Sequence, residues 1–293
     1  MTSFFGELGK RLAEKWISLL LLPSLLLVAV AGVAAALGQS SALDGRRLAT
    51  AVDTWFRAVG ALPVASQVLL LGVLLLVCSG VGLIVRALSG LIQRLWLGAW
   101  GRPARLVSDR LVERRRRRWD SADAAAWTAD QEGDVEQLHR SAARRNAISL
   151  SRPSRSTWMG DQLAAVEARV YHQYGADLES WWPRLWLVVD DSTRSELRAA
   201  RSVFDAAALH AGWAVGYLVV AAFWWPSAVI AAGVWTTGWL RGRAAVQTYA
   251  TLIESAVDVN KSALARRLEL LEDEERFGTA VGHRVTDIFR KAT

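Results

Sequence analysis

The sequence predicts an all-α polytopic membrane protein with four transmembrane helices and a cytoplasmic helical domain. Three observations lead there. From Val203 to Leu240 the only ionisable side chains are Asp205, His210 and Tyr217, and a Trp224-Trp225-Pro226 break sits midway. Two further apolar runs lie upstream, at 16–37 and 64–85. Arginine and lysine gather at one end of each run, as the positive-inside rule requires. With 52% hydrophobic residues and 22% charged ones, the chain suits a membrane protein with a substantial aqueous part.

Residues 1–16 place Phe5, Leu8, Leu12 and Trp16 on one helical face, with Lys10, Arg11 and Lys15 elsewhere. That pattern describes a short interfacial helix. The first membrane run, 16–37, contains Pro23, which kinks it, and Ser24, which can satisfy the freed backbone. Gly32 and Ala36 set small residues on one face, suiting close helix approach. A basic start followed by Ala34-x-Ala36 also fits a secretory signal peptide, although the run is long for one.

Residues 38–63 join the first two runs. Asp44 is a candidate cap, followed by Leu48, Val52, Trp55, Phe56 and Val59 at helical spacing. The stretch reads as an amphipathic helix on the outer surface, since Arg46, Arg47, Asp53 and Arg57 resist immersion. The second run, 64–85, carries one strongly polar side chain, Gln67, and ends at Arg86. Leu88, Leu91, Ile92, Leu95 and Trp96 extend its helix. Residues 1–100 thus form the N-terminal helix and first transmembrane pair.

Residues 101–202 are the cytoplasmic helical domain. The unbroken run Arg114, Arg115, Arg116, Arg117, Arg118 followed by Trp119 suggests contact with anionic lipid or another anion, against a plain solvated helix face. Residues 149–157 (SLSRPSRST) read as a linker. Met159, Leu163, Val166 and Val170 mark an amphipathic helix, and SWWPRLWLVVDD (180–191) is a compact apolar cluster. Thr193 with Glu196 forms a capping box that starts the helix into the third span.

The second transmembrane hairpin occupies 203–240. A helix needs about 20 apolar residues to cross the roughly 30 Å hydrocarbon core. Phe204 to Trp225 meets that, whereas Ser227 to Leu240 is shorter and leans on Arg241 and Arg243 reaching the interface. Pro226 suits a first helical turn. Trp16, Trp224, Trp225 and Trp239 read as interface belts. Ala208, Gly212 and Gly216 form a small-residue ridge for helix packing, with Ala228, Ala232 and Gly233 offered by the antiparallel neighbour. Gln67, Asp205 and His210 are the intramembrane polar candidates, with Arg201 placed to pair with Asp205 four residues on. Residues 241–293 continue as a cytoplasmic helix and tail. There Val246, Ala250, Ile253, Val257 and Leu264 fall near heptad spacing, and Asn260 on the same stripe can set register or oligomer state.

The segment from Tyr174 to Leu268 resembles uncharacterised multipass membrane proteins of high-GC actinobacteria. The resemblance rests on YGADL (174–178), WPRLWL (182–187), AGWAVGY (211–217), WWP (224–226) and RAAVQTYATLIE (243–254). It implies a bacterial plasma-membrane setting and carries no activity with it. Charge placement adds that both termini and residues 86–202 are cytoplasmic.

The sequence holds no P-loop, G-x-G-x-x-G, H-E-x-x-H or G-x-S-x-G. His139, His172, His210 and His283 are scattered, and the single cysteine, Cys78, has no partner for zinc or a disulfide. The expectation is therefore a non-enzymatic protein with no catalytic residues, metal or cofactor. It serves as a membrane-anchored interaction or assembly module. Its partners are the bilayer and either a second copy or a cytoplasmic protein, with nucleic acid disfavoured. The alternative is an oligomeric channel or pore-forming effector gated by the cytoplasmic domain.

Overall fold

The computed structural model describes residues 21–272 and 275–290. The interfacial helix expected over 1–16, including Trp16, lies outside the described residues. Among the described residues the structure is 84% helix with no strands, which makes the fold class all-α. In chain order the helices are α1 (Leu22–Leu37), α2 (Gly45–Gly60), α3 (Val64–Trp96), α4 (Arg105–Glu132) and α5 (Val135–Ile148), then α6 (Trp158–Tyr174), α7 (Leu178–Val188), α8 (Asp191–Ala221), α9 (Pro226–Arg267) and α10 (Thr279–Arg290). They form two compact units: Met1–Ile92 with Ala206–Leu240, and Gln93–Asp205 with Arg241–Thr293. Residues 241–293, set apart in the sequence reading, thus share a unit with all of 101–202.

Among the described residues two helices are long and apolar enough to cross a membrane, α3 and α8, where the sequence reading expects four spans. The shortfall has a local cause at each remaining helix. Described α1 has 16 residues, about 24 Å at 1.5 Å per residue. The apolar part of α9 stops at Arg241.

In the first unit Asp44 caps α2 as expected, its carboxylate accepting from Arg46 N and Arg47 N at 3.0 Å each. No residue of α2 is buried, and Trp55 and Phe56 stand 67% and 68% exposed. The hairpin core consists of Leu27, Val85, Trp213, Tyr217 and Ala231. Its tip is tied to the first loop: Gln39 Nε2 donates to the carbonyls of Ala221 (3.1 Å) and Ala222 (2.9 Å), closing the end of α8. Pro226 opens α9 and removes a donor where no helical partner exists. Beside it Ser227 Oγ is buried and donates to the Tyr217 carbonyl at 2.7 Å.

The second unit is closed around Trp181, Leu185, Val189, Leu197, Val257 and Val285. The SWWPRLWLVVDD cluster supplies three of these. The stripe Val246, Ala250, Ile253, Val257 and Leu264 is buried within this same chain. The heptad-like pattern therefore marks an intramolecular core face, and Asn260 donates to the Ala256 carbonyl one turn back rather than setting a coiled-coil register. The C-terminal tail also differs from expectation. Residues 279–290 form an amphipathic helix whose Val281, Val285, Thr286 and Phe289 are buried. Thr286 Oγ1 accepts from Trp181 Nε1 at 2.9 Å and donates to the Gly175 carbonyl at 3.0 Å. Gly282 is required there: a Cβ would fall 1.7 Å from the Tyr174 carbonyl oxygen.

The start of α8 is also corrected. The Thr193–Glu196 capping box does not form. Asp190 is the cap, accepting from Thr193 N and Ser192 Oγ at 2.7 Å each. These hydrogen bonds pull its carboxyl down to about 2. A charged acceptor offers stronger bonds than a hydroxyl, which moves the helix start three residues upstream.

Candidate functional site

The arginine run on α4 is divided by the helix period. Arg115 and Arg116 face inward; Arg114, Arg117 and Arg118 are exposed. Arg115 Nη2 donates to Asp161 Oδ2 at 2.6 Å and to the Ile148 carbonyl at 2.8 Å. Arg116 Nε donates to the Pro153 carbonyl at 2.8 Å. Trp119 Nε1 reaches the Ser149 carbonyl at 3.0 Å, with the Arg145 guanidinium 5.9 Å from its ring. Of the expected lipid-contact residues, Arg115 thus directs its bonds to Asp161 and the end of α5, Arg116 and Trp119 direct theirs to the 149–157 loop, and Arg114, Arg117 and Arg118 face outward.

That loop is not a linker. Ser149 and Pro153 are buried, and Arg152 grips Asp120 through two bonds of 3.0 and 2.9 Å. The residue that organises it is Asp161, which pattern reading missed. Its side chain is 2% exposed, and its Oδ1 accepts from both Ser154 N and Arg155 N at 2.8 Å. A carboxylate in the first turn of α6 lies at the favourable end of the helix dipole. The available signal was an acidic residue four positions after Thr157, the α6 cap.

The ridge candidates separate in a similar way. Ala208 is fully buried. A Cβ on Gly212 would lie 3.0 Å from Val85 Cγ1, and one on Gly216 only 2.6 Å from Leu27 Cδ2. The ridge thus receives α3 and α1 of the same chain. The antiparallel helix meets α8 elsewhere: Gly238 is the close approach, with a Cβ 3.0 Å from Ala211 N, while Ala228, Ala232 and Gly233 are exposed. Gly32 has open space beyond its Cα, whereas Ala36 is half-buried.

The polar candidates are spent locally. Gln67 Nε2 donates to the carbonyls of Leu62 (3.1 Å) and Val59 (3.3 Å), closing the end of α2. Arg201 pairs with Asp205 at 3.1 Å and also donates to Gln93 Oε1 at 3.1 Å. His210 is half-buried on α8. Of the belt tryptophans, Trp224 Nε1 donates to the Ala42 carbonyl at 2.9 Å, and the Trp225 backbone N–H donates to Gln39 Oε1 at 2.9 Å. Trp239 is 37% exposed on α9.

Two adjoining grooves lie among the concave features of the second unit. The larger, about 580 Å³, is walled by Leu163, Leu178, Pro183 and Ile253, with Glu167, Glu179 and Arg155 at its edges. The smaller, about 300 Å³, is walled by Trp186, Leu197, Arg198, Arg201 and Asp205. Trp182 and Tyr249 line both. The Trp182 and Trp186 rings lie 6.0 Å apart, and the Arg198 guanidinium sits 5.4 Å from the Trp186 ring. Burial pushes the Tyr249 phenol up, with Arg201 opposing. Both volumes fall in the range of small-ligand sites, and aromatic walls with a few polar groups are typical of them. Among the described residues no group of three or more His, Cys, Asp or Glu could hold a metal ion. No family model, curated protein or solved structure matches the chain.

Proposed function

We propose that the chain is an integral membrane protein with four spans whose second unit is a cytoplasmic binding module. The observation that carries this reading is α3. Its most apolar 18-residue window has a mean hydropathy of 2.9, yet 17% of that window is buried within the chain. Side chains such as Leu69, Leu76, Leu83 and Ile84 stand at least 62% exposed. Each fully buried side chain of this size is worth about 1.5–3 kcal/mol relative to exposure, so the helix requires an apolar surrounding, and a bilayer supplies one. The exposed Trp55–Phe56 face of α2, held between α1 and α3 by short loops, suits the bilayer interface. Helix α1, and α9 up to Leu240, are the remaining spans of this reading.

The binding role rests on the grooves. Trp182 and Tyr249 present an apolar surface between the Glu167 and Glu179 carboxylates and the Arg198 guanidinium. Such a surface, in a unit with its own closed core, is suited to recognition. Topology is the direct test. Cysteines at Ser40 and Glu132, each in a Cys78→Ala background, are expected to label from opposite sides of the membrane. Labelling of both by an impermeant reagent in intact cells overturns the four-span reading.

A further inference from the structure

We propose that the paired grooves bind an anionic phospholipid from the bilayer, its head group on Arg198 and one acyl chain along the larger groove. This rests on the membrane reading above. The two spaces, about 580 and 300 Å³, are of small-ligand volume, which suits a single alkyl chain. The walls of the larger one are mostly carbon, which suits an alkyl tail. Charge sets the direction. Arg198 has no ion pair among the described residues and is held against Trp186, so its donors remain available to a phosphate. Beside it Arg201 neutralises Asp205, which also lines the smaller groove, whereas at the other end Glu167 and Glu179 outnumber Arg155 and repel an anion. Trp182 and Tyr249, which line both spaces, match the boundary between an apolar tail and a polar head. Arg198 and Arg201 also stand within two and a half turns of Ala206, where the apolar part of α8 begins. In a membrane-anchored chain that is head-group level, where arginine meets anionic lipid.

The test uses the full chain in phosphatidylcholine nanodiscs containing a trace of phosphatidylglycerol with a photoactivatable acyl tail. After irradiation, adducts are mapped by peptide mass spectrometry. The expected adducts fall on peptides carrying Leu163, Leu178 and Ile253. Unlabelled phosphatidylglycerol should suppress them, and unlabelled phosphatidylcholine should not. Arg198→Gln is expected to lower their yield about fivefold, and Ala164→Phe, which fills the groove, to abolish them. A thermal melt of each variant confirms that the fold persists. Adducts confined to α3 and α8, with none in the groove, overturn the proposal while leaving the membrane reading intact. Absence of adducts from the entire chain overturns the membrane reading itself. Groove adducts indifferent to Arg198→Gln and to the competing head group overturn the anionic assignment.

Discussion

Asp161 ties the 149–157 loop and α4 to the start of α6. It is a buried carboxylate with three donors, two of them backbone N–H groups of a loop that has no regular structure of its own. Removing it leaves Arg115 with a charge facing protein rather than water, and leaves two loop N–H groups unpaired. Losing one partner of such a pair typically costs about 3–5 kcal/mol, and the 21% exposure of Arg115 places the effect near the lower end. Asp161→Ala is expected to lower the melting temperature sharply and to open the 149–157 loop to protease. Arg114→Gln and Arg118→Gln, on the exposed side of the same helix, should leave both readouts unchanged. Equal melting of all three variants would show that the loop is held by other contacts.

The unit of packing is the helix face rather than the motif. On α8 one face offers Gly212 and Gly216, and the absent side chains are replaced by Val85 and Leu27. Close contact of this kind substitutes dispersion and backbone approach for a hydrophobic drive that lipid does not supply. Helix α1 carries a similar small pair at Gly32 and Ala36, but open space surrounds Gly32. The same substitution therefore gives different outcomes on the two helices. Gly216→Leu forces Leu27 aside and is expected to destabilise by about 1–3 kcal/mol or more, without changing the mass of any oligomer. Gly32→Leu is expected to leave stability alone. Thermal melting and light scattering of both proteins in detergent check this. A drop in oligomer mass with Gly216→Leu would mean that the ridge also faces a second subunit.

At the scale of the whole molecule, α3, α8 and α9 each contribute residues to both compact units. Helices of 33, 31 and 42 residues extend about 50, 46 and 63 Å, longer than the roughly 30 Å hydrocarbon core. The second unit is stapled by ion pairs between distant segments. Arg169 grips Glu254 through two 2.7 Å bonds, and Arg290 meets Asp177 at 2.9 Å. Hydrogen bonding from Arg169 holds the Glu254 carboxyl below its ordinary value, and Asp190 lies at about 2. Both folded values are depressed, so their stabilisation is complete above the ordinary carboxylate range and is lost as pH falls through the folded values. The melting temperature is expected to hold between about pH 7 and 5 and to fall below about pH 4. Glu254→Gln should flatten that fall. A loss already complete at pH 5 would assign the acid sensitivity to groups other than these carboxylates.

What the sequence determined by itself is what one or two helical turns can encode. Helical content, the Asp44 cap, the Pro226 start and the Arg201–Asp205 pair all depend on neighbours within four residues. The apolar runs likewise declare their need for burial or lipid through composition alone. Tertiary structure decided which element meets which face. A 3.6-residue period shows that Val246 to Leu264 must be covered, but the cover comes from α6, α7 and α10, and nothing in the stripe distinguishes them from a second chain. The arginine run was undivided until the loop at 149–157 was placed against it. Asp161, Thr286 and Gly282 were silent for the same reason: their partners lie at separations from six to more than one hundred residues. Only a folded backbone brings such groups within hydrogen-bonding distance or leaves a glycine no room for a side chain.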